Sequence, residues 1–170
     1  MNKLYLLTAV DARRVDEPND SRANLISKLT IPGLTFVTAS HSPGGGVMGV
    51  DFTMPRIEAP EPAFGSKGVD TSVFKGMGAR SRWVFAGSYR DKMKKRDVPG
   101  RAIIEGAISA WEPDESDPSD FQGCNHVFKE VVHYEFHLDG KELFYVDFWE
   151  RVLRVDGKDL WESTRNALGA

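Results

Sequence analysis

A single mainly-β domain, a sandwich or small barrel with two short helices, is the fold class this sequence predicts. Three observations predict it. Apolar and polar residues alternate with period two over several stretches, the pattern of half-buried strands. Turn dipeptides such as Pro32-Gly33, Asp139-Gly140 and Asp156-Gly157 punctuate those stretches. The chain has 170 residues, 41% hydrophobic and 28% charged, the make-up of an ordinary globular domain with its own core. Residues 1–170 are therefore expected to form one domain.

Each element follows in order. Leu25 to Ile31 reads as a strand ending at Pro32-Gly33, and Leu34 to Thr38 follows it. Met48, Val50, Phe52 and Met54 then alternate with Gly49, Asp51 and Thr53, and Pro55 is expected to stop the ladder. A short helix is expected over about 70–77, with Asp70 or Thr71 as N-cap. Arg82 to Tyr89 and Arg101 to Trp111 read as two strands joined by a basic tip, Arg90 to Arg96.

The clearest alternation runs from Val131 to Leu138. Val132, Tyr134, Phe136 and Leu138 point one way, and His133, Glu135 and His137 the other. Asp139-Gly140 predicts a two-residue hairpin turn, after which Leu143 to Trp149 returns. That returning strand is apolar on both faces: Phe144, Val146 and Phe148 on one, Leu143, Tyr145 and Trp149 on the other. It must be covered on both sides, by a helix or a neighbouring subunit. Val152 to Val155 continues to Asp156-Gly157, and a closing helix is expected over about 160–168, capped by Asp159 and stopped by Gly169. Asp11 to Arg22, His41 to Gly46 and Glu112 to Gly123 read as loops.

Function classes can be excluded on the same residues. The net charge of −3 argues against a protein that grips nucleic acid through a basic face. No apolar run nears the ~20 residues needed to cross a bilayer as a helix. Leu4 to Val10 is too short for a span or a secretory signal, so production in a cytoplasm, with no membrane partner, is the expectation. The single cysteine, Cys124, leaves no intrachain disulfide and reads as a buried structural thiol. An intersubunit bridge is the alternative for it.

Four histidines invite a metal reading. His133 and His137 share a strand face but lie about 13 Å apart along it, too far for one zinc. Cys124 and His126 could form a nucleophile pair, yet nothing marks an oxyanion hole beside them. Carboxylates at Glu112, Asp114, Glu115, Asp117 and Asp120 crowd a Pro-rich loop, where they read as solvated charges. Gly44-Gly45-Gly46 fits no phosphate-binding fingerprint. No catalytic residue, metal or cofactor is expected. The basic tip (Arg90, Lys92, Lys94, Lys95, Arg96) reads as an ordinary solvent-facing hairpin end or as a contact for an acidic protein surface.

Taken in order, the residues resemble a known family. His133 to Leu143, Asp147 to Val152, Arg154 to Leu160 and Arg165 to Gly169 are similar to the end of phage major tail tube proteins: strand, Asp-Gly hairpin, strand, linker, closing helix. Leu29 to Leu34 resembles that family's N-terminal Leu-Thr-Leu-Pro turn. His41 to Gly46 resembles its Gly-rich segment, and Gly68-Val69-Asp70 its lead into the short helix. The likeness covers roughly 25–169. Residues 1–24 match the family poorly, and the loop 112–123 is longer and more acidic than its pattern.

The resemblance implies the tail tube type of β-sandwich or barrel, and a non-enzymatic virion subunit of a contractile tail (the myovirus type). It implies hexameric rings stacked into a tube, with a sheath outside, a tape-measure protein inside during assembly, and baseplate and terminator proteins at the ends. DNA would pass only in transit, and assembly would take place in the host cytoplasm. Residues 42–61 are then expected to be an arm between subunits or rings, with contacts from Pro43, Gly44, Gly45, Gly46, Met48, Phe52, Met54 and Ile57. The basic tip would face sheath or solvent. A tube from a phage-tail-like bacteriocin or a type VI secretion system is the alternative reading. A soluble β-barrel binding module or a small hydrolase using Cys124 and His126 is the remote one.

Overall fold

The computed structural model describes residues 3–169. Met1, Asn2 and Ala170, part of the N-terminal segment and of the single domain expected above, lie outside the described residues. Eleven strands are formed: β1 (Tyr5–Arg14), β2 (Ile26–Thr30), β3 (Phe36–His41), β4 (Val50–Ile57), β5 (Ala63–Lys67), β6 (Arg80–Asp91), β7 (Arg96–Pro113), β8 (Gly123–Leu138), β9 (Lys141–Asp147), β10 (Val152–Val155) and β11 (Lys158–Asp159). A 3-10 turn covers Thr71–Phe74, and one helix, α1, covers Glu162–Ala167. The mainly-β fold class with a short C-terminal helix is thus as expected.

The strands hydrogen-bond in the order β1-β6-β7-β8-β9-β10-β11, all antiparallel. The long strand β8 serves two neighbours on one side. Its first half pairs with β5, which pairs with β2, and its second half pairs with β9. A bulge divides the halves. Glu105 faces His133 and Ala107 faces Lys129, so Glu130 to Val132 stand opposite Gly106 alone, with Glu130 at φ 53°. Gly106 permits this: a Cβ there would meet Lys129 O and Val131 Cγ2, each at 3.1 Å.

Because β2 returns against β1, six strands enclose one core. Ala12, Phe64, Trp83, Phe85, Ile104 and Phe128 fill it, with no exposed surface on any of them. The rings meet edge-on or tilted: Phe128 lies 5.5 Å from Trp83 and 5.6 Å from Phe85, centroid to centroid. Tyr134 and Phe144 extend the core toward the β9 wing. Both Asp-Gly turns form as the sequence predicts, with positive φ at Asp139, Gly140, Asp156 and Gly157, the conformation that a two-residue hairpin needs.

Several expectations are corrected. Asp11 to Arg22 is not a loop throughout, since β1 runs to Arg14 and pairs with β6 from Tyr5 to Arg14. β5, read as no element, is a core strand. The helix expected over 70–77 is one 3-10 turn, although Asp70 does cap it by accepting Ser72 N–H at 2.9 Å. Helix α1 begins two residues later than expected. Asp159 instead accepts Trp161 N–H at 2.9 Å and pairs with Arg165 at 2.8 Å, while Gly169, at φ 76°, ends the helix as predicted. Pro55 does not stop β4. Phe36 faces Ile57 and Thr38 faces Thr53, so Pro55 falls in a bulge where no N–H is required. Finally, β9 stops at Asp147, and Phe148 and Trp149 lie in the following turn, each 65% exposed.

Candidate functional site

The barrel has a seam. β1 and β2 form no ladder with each other, and Arg22 closes the gap from inside. Its N–H donates to Asp11 Oδ1 at 2.8 Å, and its guanidinium donates to Asp70 at 2.6 Å and Ser72 Oγ at 2.7 Å. Arg14 and Arg22 both rest on Trp83, at 5.1 and 4.9 Å from its ring. Burial pushes the Asp70 carboxyl up, but the Ser72 hydrogen bonds and the Arg22 charge outweigh it and hold the group below the ordinary carboxylate range. Every member of this cluster is engaged with another, so the seam is structural.

The Cys124–His126 pair is not assembled. Cys124 is buried against Ser66 Oγ at 3.0 Å and Gly68 O at 3.4 Å. His126 is buried against Phe64, rings 4.5 Å apart, with Nδ1 3.3 Å from Phe64 O. Burial depresses its pKa and keeps it neutral. Both residues belong to the inward row of β8 with Phe128, which is why they share a face without sharing a proton.

On the β8–β9–β10 wing the polar row that the alternation set opposite Tyr134 and Phe136 begins at His133. That side chain is buried, edge-on to Tyr145, with Nδ1 2.9 Å from Asp147. Glu135, His137 and Glu142 draw close enough to hold one cation, but Arg154 already grips Glu142 with two hydrogen bonds at 2.6 and 2.9 Å. The arginine holds that carboxyl low and occupies the charge a metal would need. His133 is outside that trio, yet its Nε2 lies 3.6 Å from one Glu135 oxygen while His137 Nε2 lies 3.1 Å from the other, so the two ring tips meet one carboxylate and stand closer than the spacing along the strand had implied.

The basic tip is the β6–β7 turn. Asp91 caps it by accepting Met93 and Lys94 N–H. Arg90 forms a bidentate pair with Asp97 at 2.8 and 2.7 Å, and Arg96 pairs with Asp139 at 2.5 Å. Lys92, Lys94 and Lys95 are exposed and form no ion pair among the described residues, so the tip's free charge is theirs.

The arm expected over 42–61 is mostly a β-hairpin that begins earlier, at Phe36. β3 and β4 pair only with each other, as a separate two-stranded sheet. The tip holds Pro43, Gly44, Gly45 and Gly46, closed by Gly46 N–H donating to Pro43 O at 3.1 Å. Val47 and Met48 beside it are exposed, and so are Val50, Phe52 and Met54 along one face of β4. At its root the hairpin meets the body. Tyr134 donates to Pro32 O at 2.8 Å and Arg56 lies over Trp161 at 5.9 Å, while Glu58 N–H donates to Thr35 O at 2.9 Å across the hairpin's own base. Beside that root runs an apolar groove of about 570 Å³, lined by Ile57, Val132, Val146, Phe148, Trp161 and Leu168 among others.

The most prominent feature of this surface is thus a separate hairpin that carries exposed apolar residues. The sequence model of phage tail tube protein FII matches residues 19–169. The chain belongs to the phage tail tube protein FII family. No curated protein matches it. As a tail tube protein, it is a structural component of a virion tail that associates with itself and with other tail components. The family match leaves out β1 and takes in Asn19 to Asn24, so it reaches six residues further toward the N-terminus than the motifs alone had suggested.

What sequence reasoning missed in this tail tube protein was the groove and the seam. The groove's lining comes from six separate stretches between Pro55 and Leu168. The seam was missed because Asp11 to Arg22, which holds Arg14 and Arg22, read as a loop.

Proposed function

We propose that this tail tube protein closes into hexameric rings, and that the rings stack into the hollow tube of a contractile phage tail through which DNA passes. The observation that carries the reading is the uncovered β3–β4 hairpin. A two-stranded hairpin is marginal alone in water, and this one holds Val50, Phe52 and Met54 out to solvent. It becomes stable and useful when copies of the chain cover it. A second margin supports lateral closure. The first half of β1 pairs on one side only, and Leu6 and Leu7 there, with Leu4 just before it, are exposed. Edge strands are a hazard in a monomer and a joint in a ring. The sheath would surround the tube, with the basic tip among the surfaces facing it. A tape-measure protein would occupy the lumen until DNA replaces it, while baseplate and terminator proteins close the ends.

The test is negative-stain electron microscopy of the purified, concentrated chain. Rings and tubes are expected from the natural sequence, and folded but unassembled protein from a variant lacking Gly44 to Gly46. A chain that stays monomeric at every concentration and salt, or a deletion variant that forms tubes in full yield, would overturn the reading.

A further inference from the structure

We propose that the groove beside the hairpin root is the socket for the hairpin tip of a second copy of this chain. The inference rests on the tube reading above and adds the receiving site. Four observations carry it.

The groove's lining is mainly apolar, Val132, Val146, Trp161 and Leu168 among it, and its root wall also carries Arg56 and Glu58. It is open, and it belongs to no catalytic or metal-binding arrangement. The chain also carries an object of matching chemistry: Val47 and Met48 at the tip and Phe52 on the adjoining strand, all more than half exposed.

A chain cannot fill its own socket. Pro55 to Pro60, the hairpin's root, forms one wall of the groove. The tip stands some ten residues further along extended backbone, on the order of 30 Å from that wall. Only another copy's tip can enter, and in the tube reading each subunit gives a tip to one neighbour and takes one from another, a heterologous contact. Such a contact propagates instead of closing a pair.

Charge agrees with this direction. Arg151 lies on the groove's rim and forms no ion pair among the described residues. Asp51, between the apolar positions of β4, is exposed and is bonded only to Ser40 Oγ, at 2.5 Å. A tip entering the groove brings an unpaired carboxylate toward an unpaired guanidinium, the arrangement that steers docking and fixes register.

The experiment uses the full chain carrying Met48→Cys and Leu168→Cys, assembled, viewed by electron microscopy, then oxidised and run on a non-reducing gel. Cys124 is buried and stays in place. The expected result is a ladder of covalent multimers from the double variant and single bands from each single variant. Tubes that form normally yet run as monomers would show the groove empty and overturn the socket, while leaving the tube reading intact. Failure of the natural sequence to form tubes would instead count against the tube reading. A charge swap covers the case in which the cysteines impair assembly. Arg151→Glu alone should reduce tube yield, and adding Asp51→Arg should restore it. Normal assembly by both single charge variants, or no recovery in the double, would also overturn the socket.

Discussion

The barrel interior and the β3–β4 hairpin are built from the same sequence pattern and end in opposite states. Cys124, His126 and Phe128 alternate inward on β8 and are buried by β5, β6 and β7. Val50, Phe52 and Met54 alternate on β4 with the same period and are exposed. Period-two alternation says that a face is made for burial. It does not say which chain supplies the cover. In the barrel, cover comes from strands far along the same polypeptide, Phe64 facing His126 for one, and on the hairpin it has to come from another molecule. Folding and assembly are therefore carried by separate residues, and the predictions test that separation.

The largest effect belongs to the interior. Phe128 touches Phe64, Trp83 and Phe85 at centroid separations of 5.5 to 6.1 Å and has no exposed surface. Phe128→Ala should cost about 3–5 kcal/mol, through lost transfer energy and the cavity left among rings that cannot collapse. Urea unfolding followed by tryptophan fluorescence reads this directly, because Trp83 lies on the cavity wall. A loss under about 1 kcal/mol would mean the rings are not a shared core. That would break the comparison from the barrel side.

An acid titration gives the next effect, and its sign follows from two groups. Burial depresses the His126 pKa, so the unfolded chain takes up that proton first. Stability from neutral His126 is whole above the unfolded value of about 6.5 and declines as pH falls below it toward the folded value. Asp70, held low in the fold, contributes stability that is whole above its unfolded value of about 3.9 and is lost as pH falls through the folded one. Two acid limbs are expected in stability against pH, and His126→Phe should flatten the first while leaving the second. A single limb near pH 4 in the natural protein would remove His126 from the account.

The same contrast explains what was legible in the sequence. Turns and alternation are local, so the Asp139-Gly140 hairpin, β10 and the exposed apolar row of β4 could be read directly. Arg14 and Arg22 could not, because a buried guanidinium depends on partners far along the chain, Asp70 and Trp83 among them. The burial of His133 was not legible for the same reason, its partner Asp147 standing across a strand pair. β5 is five residues long, with Gly65 at its centre, too short to show a period. The hairpin itself was half visible. Its apolar residues were named, but its first strand was read apart from the arm, and Pro55 hid a bulge that lets β4 continue to Ile57. The groove was invisible, since no local pattern encodes a wall shared by a root, a sheet and a helix.

The smallest effect on stability carries the sharpest test. Phe52 is 57% exposed and sits on a strand whose only partner is β3. Phe52→Ser removes an aromatic side chain that the isolated chain scarcely buries. Urea unfolding of the unassembled variant should therefore match the natural protein to within about 0.5 kcal/mol. Tube yield, measured by sedimentation at equal protein concentration, should nevertheless fall sharply, because the side chain's burial occurs only on assembly. The two readouts move together if the hairpin is part of the folding core, and they separate if it is a joint. A Phe52→Ser chain that unfolds as easily as Phe128→Ala would erase the distinction between the regions, whereas a stable chain that no longer sediments would locate it at one residue.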